Sequence, residues 1–551
     1  MAVSSNVLHL IRGTPNPVGA SSAELFLLAG DATQPIDKII FDVELPARRT
    51  DTRAFHLRIL HINDLHGRLA RVTACDHAPI FSRIVSRVRD ARRADDAHTA
   101  TLFFSAGDDL TGTAFEELLG NDSRAQCFNP AYRLFSEAGV DIATLGNHEF
   151  DIGTRLLAEA IRNDARFPIV CANLTHCARL NDVVFPAAIL VVKNIRVGII
   201  GLATTAEVLH RDDPDFCIVP PIAIAQNLLP AMRPLCDVVI VLSHLGYSLA
   251  TPTAITRDAG DVELAQNLPA GACDVIIGAH THTALNACGL DARNVVNDIV
   301  IAQAGAFGEW LGEVDLVLNP RATIAHVALH AVNELPADDV FERDHVQPIA
   351  NQVEQLLAEE LGCVEDVDLR APGTADESPL ANFVADAIAE RCRRAGFAVD
   401  FAMIDETTIA CDLESGVITF EDWFAVMPHA DVIRLYQMRG DQLQKFLDDN
   451  ARRAARNEPG FVRFSRELRY AIDRDGARDV RVNDIALDPL REKIFLVACS
   501  SFARQRDTTS PVRVTDLHWQ DTPLRIRDEL RAHIRAHGGI TARRDERVKF
   551  L

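Results

Sequence analysis

Apolar residues come in short blocks along most of this chain. "LRILHI" (57–62), "TLFFSAG" (101–107), "VDIATLG" (140–146), "PIVCANL" (168–174), "IRVGIIGL" (195–202), "CDVVIVLSH" (236–244), "CDVIIGAH" (273–280) and "DIVIAQAG" (298–305) have the length and branched composition of buried strands. Helical patterns separate them, so residues 57–335 are expected to form an α/β domain. Around 338–362, "DDVFERDHVQPIANQVEQLLAEEL" predicts a connecting helix over 336–362, interrupted at Pro348. Residues 363–551 predict a second, smaller α/β domain with amphipathic helices such as "LANFVADAIAERCRRA" and "RGDQLQKFLDDNARRAARN". Residues 1–56 read as an N-terminal extension of unknown role. It holds two strand-like runs, "AELFLLAG" and "KIIFDVEL", a linker-like "ARRTDTR", and no assignable chemistry.

Size and composition narrow the choice. A chain of 551 residues exceeds one ordinary core, which favours at least two domains. With 48% hydrophobic and 24% charged residues it is globular, and a net charge of −22 argues against a nucleic-acid polymer or an anionic membrane as partner. A small anionic substrate remains compatible, because bound metal ions reverse the local field. No apolar run reaches the length of a membrane span, and the first residues lack a basic stretch followed by an apolar one. The twelve cysteines are scattered, none in C-x-x-C, and several sit inside strand-like blocks. Reduced thiols and a cytoplasmic location are therefore expected.

The residues that follow the strands carry the chemistry. "LRILHI" leads into Asp64 and His66, "TLFFSAG" into Asp108, and "VDIATLG" into Asn147 and His148. "CDVVIVLS" ends in His244, and "CDVIIGA" in His280 and His282. Sites of α/β sheets lie beyond the carboxyl ends of the strands. Five strands thus deliver imidazoles, carboxylates and an amide to one edge. These donor types suit Zn, Mn, Fe, Co or Ni, and seven ligands exceed what one ion accepts. Two divalent ions sharing a carboxylate would use them all, and such pairs, about 3.5–4 Å apart, serve displacement at phosphorus.

"LRILHINDLHGRL", "GDDLTGT", "GNHEFD", "SHLG" and "GAHTH", in this order, resemble the metallophosphoesterases, and more narrowly the 5'-nucleotidase family. The resemblance implies a four-layer α/β/β/α sandwich with mixed sheets, followed by a smaller α/β domain. It implies that Asp64, His66, Asp108 and His282 hold one ion. Asp108, Asn147, His244 and His280 would hold the other, with Asp108 bridging. His148 would not bind metal; it would stabilise the transition state or protonate the leaving oxygen, and Asp151 would fix its tautomer. Glu149 and Phe150 are expected to cap and to pack. Gly107 lets the chain turn so that Asp108 projects; Asp109 is expected behind the ligands or facing solvent.

After residue 370 the likeness weakens. In the family this domain holds the nucleoside with an Asn-x-Gly-Gly-Ile-Arg segment, two stacking phenylalanines and a Gly-rich loop. Here the matching segment is "DETTIA", with Asp405 in the Asn position and Ala410 in the Arg position. His429 replaces the first stacking residue, Phe502 matches the second, and "RQRDTTS" replaces the loop. Arg504 and Arg506 offer charge there, and Asp507 is the acidic residue available to stand in for that of the loop. Losing the Arg removes a bidentate anion clamp, and His for Phe weakens base stacking. The expectation is a two-metal phosphoester hydrolase acting on a small phosphorylated substrate through an altered pocket that uses His429 and Phe502. The alternatives are a hydrolase of nucleoside diphosphate derivatives or 2',3'-cyclic nucleotides, a thiosulfate-ester hydrolase, and a metal-binding protein without turnover.

Overall fold

The computed structural model describes residues 6–120, 128–175, 177–205, 216–248, 259–319, 321–364, 369–371, 377–429, 432–456, 458, 460–501 and 512–551. The chain divides into two compact units, one of residues 1–72 and 76–353, the other of 73–75 and 354–551.

The N-terminal unit is built on two mixed sheets. Seven strands run in the order Val184–Phe185, Ile169–Val170, Ile142–Thr144, Thr99–Ser105, Phe55–Ile62, Trp310–Leu318 and Ala322–Ala331. The first five are parallel to one another, and the Trp310–Leu318 hairpin adds antiparallel. The second sheet has nine strands, with Ile195–Ala203, Val238–His244, Val275–Ile277 and Ile299–Ala302 in parallel. Alternation along each strand decides which way its residues face. Ile240 and Leu242 join Leu57, Ile59, Leu102 and Phe104 in one core between the sheets. Val239 and Val241 face the other way, onto Ile224, Leu228 and Leu264 of the helices Pro221–Met232 and Asp261–Gln266. On the outer side of the seven-stranded sheet the helix Phe81–Arg93 buries Phe81, Ile84, Val85 and Val88 at helical spacing. The ring of Phe81 meets Phe135 of Pro130–Ala138 at 5.2 Å. That second helix starts on an Asn129 side-chain cap with Pro130 in its first turn and stops at left-handed Gly139. Helices, two sheets and helices make the four-layer sandwich.

The strand-like runs near the N-terminus belong to this sandwich. Val7–Gly13, Glu24–Ala29 and Lys38–Phe41 are strands of the nine-stranded sheet; Leu25 and Leu27 enter the inter-sheet core while Phe26 and Leu28 face the helices. Pro348 does not interrupt its helix. It is the second residue of Gln347–Leu357, directly after one π turn, Glu342–Val346. The wider turn takes up the missing N–H and the ring that Pro brings into a helix. The helix stops short of 362, since residues Glu360–Val364 form a strand.

The C-terminal unit centres on five strands in the order Val462–Phe464, Phe401–Asp405, Ile494–Ser500, Val432–Arg439 and His518–Arg525. The helix Gly440–Arg456 drops Leu443, Phe446 and Leu447 onto Phe401, Met403, Met438 and Phe495.

The two sheets of the N-terminal unit touch at Gly201. Its carbonyl accepts the Ala172 N–H at 2.8 Å, and a Cβ there would overlap the Val170 carbonyl and crowd the Thr144 hydroxyl. Gly201→Ala should therefore destabilise the N-terminal unit by roughly 1–3 kcal/mol. A lower melting temperature for that unit in calorimetry is the expected result; an unchanged melt would show that the sheets can part without cost.

Candidate metal centre

Six of the seven candidate ligands leave the sheets just past a strand end, and His244 is the last residue of its strand. Asp64, His66, Asp108 and Asn147 follow strands of the seven-stranded sheet; His244, His280 and His282 belong to the nine-stranded one. From the sequence all five ends are expected on a single edge. The structure draws them from two sheets, stacked so that their carboxyl ends meet.

Their backbones are unusual. Asp64, His66, Asp108, His280 and His282 all have positive φ, between 47° and 72°. Non-glycine residues seldom adopt this conformation, and it concentrates at functional sites. Gly107, also at positive φ (91°), makes the turn that presents Asp108. Gly146 leaves no room for a side chain: a Cβ would overlap the Asp108 carboxylate.

Ligand atoms of Asp64, His66 and His282 lie within 4.8 Å of one another, as do those of His66, Asp108 and His148, and those of Asp108, His244 and His280. Asn147 joins the last set, its Oδ1 3.0 Å from His280 Nδ1. Asp108 and His66 each belong to two of the three sets, and Asp108 is the carboxylate among them.

Several candidate donor atoms face one another. His244 is fully buried and gives its Nδ1–H to the Ala106 carbonyl at 2.8 Å, so Nε2 faces Asp108 Oδ2 at 3.0 Å. That contact does not meet hydrogen-bond geometry, and His244 Nε2 and Asn147 Nδ2 are buried with no hydrogen-bond partner. His66 Nδ1 donates to the Thr111 carbonyl at 3.1 Å, which turns its bare Nε2 toward His282 Nε2, also at 3.1 Å. Two imidazole lone pairs at that distance repel unless a proton or a cation lies between them. The set fits divalent transition metals: buried carboxylates, imidazoles oriented by carbonyl groups, and an unsatisfied imidazole nitrogen on His244.

Charge in the ion-free chain is compensated by protons. Burial opposes a charged His244, but Asp108 and Asp64 outweigh it and push the imidazole up to about 10. Burial likewise opposes charge on Asp108, yet His244, His148 and His66 hold its carboxyl well below the usual carboxylate range. His148 Nδ1 lies 2.6 Å from Asp151 Oδ2, and its backbone N–H donates to Asp108 Oδ1 at 2.9 Å. Burial disfavours its charge as well, but Asp151 and Asp108 push it up to about 10.

Other side chains hold the framework. Glu149 accepts the backbone N–H groups of Gly146, Asp108 and Asp109 at 2.6, 3.0 and 2.8 Å, which is its capping role. Phe150 is buried with its ring 4.9 Å from Phe216. Asp109 does not face solvent. It is fully buried and accepts the Ser105 hydroxyl at 2.6 Å; burial, and then Glu149, push its carboxyl well above the ordinary value. Two residues escaped the sequence argument. Asn63 donates to Asp64 Oδ2 at 2.7 Å and to the Gly305 carbonyl at 2.6 Å, and accepts from Ala304 N–H, fixing the Asp64 carboxylate. Phe307, at positive φ and 40% exposed, puts its ring 5.6 Å from His66 and 5.1 Å from His282. Its signal is a strained bulky residue, which a sequence does not display.

In the C-terminal unit His429 is exposed, just after the helix Phe420–Val426. Phe502, with Arg504, Arg506 and Asp507, lies outside the described residues. Asp405, in the position of the family's Asn, turns its carboxylate inward to cap Thr407 N–H at 3.0 Å. Ala410 is exposed and donates its N–H to the Val426 carbonyl.

Residues 57–284 match the calcineurin-like phosphoesterase model, and residues 360–510 match the 5'-nucleotidase C-terminal domain. The chain belongs to the 5'-nucleotidase family of metallophosphoesterases. A 5'-nucleotidase of Vibrio parahaemolyticus is 25% identical over 470 residues, which cover 78% of this chain and 79% of that protein. A putative 5'-nucleotidase of Staphylococcus aureus shares the fold with a TM-score of 0.69 at 18% identity, over 90% of this chain and 99% of that one. The 5'-nucleotidase precursor of Thermus thermophilus does so at 0.57 and 22% identity, with the same shares. As a family member this chain is a phosphoric ester hydrolase that depends on divalent metal ions. No helix among its described residues is long and apolar enough to cross a membrane, and its eleven described cysteines are outside disulfides.

Two outcomes follow for this centre. Because His244 holds a proton near neutral pH, metal binding must expel it, so affinity should rise with pH. Calorimetric titrations in buffers of different ionisation enthalpy should report about one proton or more released per ion at pH 7; none released would contradict the charge state. Asn63→Ala should weaken metal binding about 10–100-fold, the usual scale for a group that orients a ligand; unchanged affinity in the same titration would remove that role.

Proposed function

We propose that this chain hydrolyses small phosphate monoesters at a two-ion centre, with little selectivity for the nucleoside. The observation that carries the two-ion reading is the position of Asp108, a buried carboxylate grouped on one side with His244 and His280 and on the other with His66, which in turn groups with Asp64 and His282. In this reading Asp64, His66, Asp108 and His282 hold one ion, and Asp108, Asn147, His244 and His280 the other. The donor set suits Mn, Zn, Fe, Co or Ni. When bound, such ions polarise the phosphoryl oxygens and make the attacking water acidic enough to react near neutral pH.

The chain's own residues do the rest. His148 gives Nδ1 to Asp151, so the opposite ring nitrogen is left for the phosphoryl or leaving oxygen. Asp151 acts on the ester only through His148, by fixing its tautomer and favouring its protonated form. Glu149 ties the turns that carry Asp108 and Asn147 into one rigid piece. A metal-binding protein without turnover would have no use for the His148–Asp151 pair, which favours an enzyme.

The substrate reading rests on the C-terminal unit. Asp405 is engaged in a local cap, Ala410 has no side chain to clamp an anion, and His429 offers a weaker stacking face than Phe. The buried Arg463 is taken up by Glu406 at 2.6 Å and by stacking on Phe461. These features support a pocket that holds nucleosides weakly. A cytoplasmic location accords with the free thiols and forms part of the same proposal.

His148→Ala should lower kcat on an aryl phosphate by roughly 10²–10⁴-fold while the ion content stays the same. Loss of metal in that variant would reassign His148 as a ligand. Asp108→Ala should strip more metal than any other single change, as read by elemental analysis. In one metal condition, kcat/KM for adenosine, guanosine and uridine monophosphates should agree within roughly tenfold, the span a lost polar clamp leaves. A strong preference for one of them, with tight binding, would contradict the altered pocket.

A further inference from the structure

The C-terminal unit holds another set of metal-type side chains. Glu390 lies on the helix Pro379–Arg394, and His533 and His537 lie one turn apart on Ile526–His537, which packs against it. One ligand atom from each of the three lies within 4.8 Å of the other two. His533 is only 8% exposed, and its Nδ1 is buried without a hydrogen-bond partner. A buried ring nitrogen is costly when left unpaired, and calls for an occupant. His537 Nδ1 sits 2.9 Å from the His533 carbonyl, so it carries the hydrogen and leaves Nε2 with a bare lone pair. This is the way carbonyl groups orient metal-binding imidazoles.

The surroundings admit a cation. His537 ends its helix, where the backbone dipole favours positive charge. Arg391 is engaged by Glu529 and Arg535 by Glu359, each at 2.5 Å. Arg394 holds Glu390 at 2.5 Å, but both side chains are exposed, and such pairs are weak.

We propose that Glu390, His533 and His537 form a metal site separate from the strand-end centre, taking Zn²⁺ or an ion of similar preference and clamping the two helices together. Two imidazoles and one carboxylate suit zinc rather than magnesium or calcium, and leave one coordination position for water. Histidine–zinc bonds are about 2.0–2.1 Å long, and the half-exposed Glu390 side chain can adjust to them.

The test uses the full-length protein dialysed against zinc, with ions counted by elemental analysis and unfolding followed by calorimetry. His537→Ala should bind one ion fewer per chain than the wild type and lose the zinc-dependent rise in melting temperature of the C-terminal unit. Its kcat on an aryl phosphate should stay within about twofold. Glu390→Gln should weaken the same ion about tenfold or more. In an Asp108→Ala background, where the strand-end centre is disabled, one ion should remain and should vanish on adding His537→Ala. Equal ion counts in the wild type and in both single variants would overturn the proposal, whatever the state of the strand-end centre.

Discussion

A carboxylate sealed from water must be compensated, and the N-terminal unit is arranged around one such group. Asp108 is 1% exposed. An isolated ion in that position would neutralise or unfold the site around it. Here one oxygen takes the His148 N–H and the other faces His244 and, further off, His66. The positive charge that balances it is borne by imidazoles when no ion is present and by metal ions when they are bound. Proton and metal compete for the same lone pairs, which couples loading of the centre to pH.

Holding so many donors around one carboxylate strains the chain. Positive φ at five candidate ligand residues costs of the order of 1–3 kcal/mol each where the conformation is sparsely populated. Such strain persists only where the surroundings leave no alternative. The surroundings are two sheets locked by a shared aliphatic core and touching at Gly201, with Glu149 gripping three backbone N–H groups of adjacent turns. The stability of the sandwich is what fixes the ligand geometry.

Much of this was legible in the sequence because strands have a simple period and their ends are marked. The apolar blocks at 57–62, 101–107 and 236–244 became the strands Phe55–Ile62, Thr99–Ser105 and Val238–His244, and the polar residues at their ends converged. What escaped depends on contacts between distant segments. Nothing in "IND" tells that Asn63 fixes Asp64 by reaching across to Gly305, some 240 residues away. Asp109 reads as lying either behind the ligands or in solvent, and only its contacts with Ser105 and Glu149 decide for the first. Two of the three strands near the N-terminus read as strands, but Ala187–Val192, which ties Glu24–Ala29 into the sheet, lies far along the chain. Pro348 reads as a break because a π turn leaves no sequence mark.

If Asp108 joins two ions in one centre, electron paramagnetic resonance of the manganese-loaded protein will register the pair. Two Mn²⁺ ions sharing a carboxylate are exchange-coupled, so the loaded protein should give a multiline spectrum of a coupled pair, and Asp108→Ala should abolish it. A simple six-line signal of isolated Mn²⁺ at full loading would contradict the account.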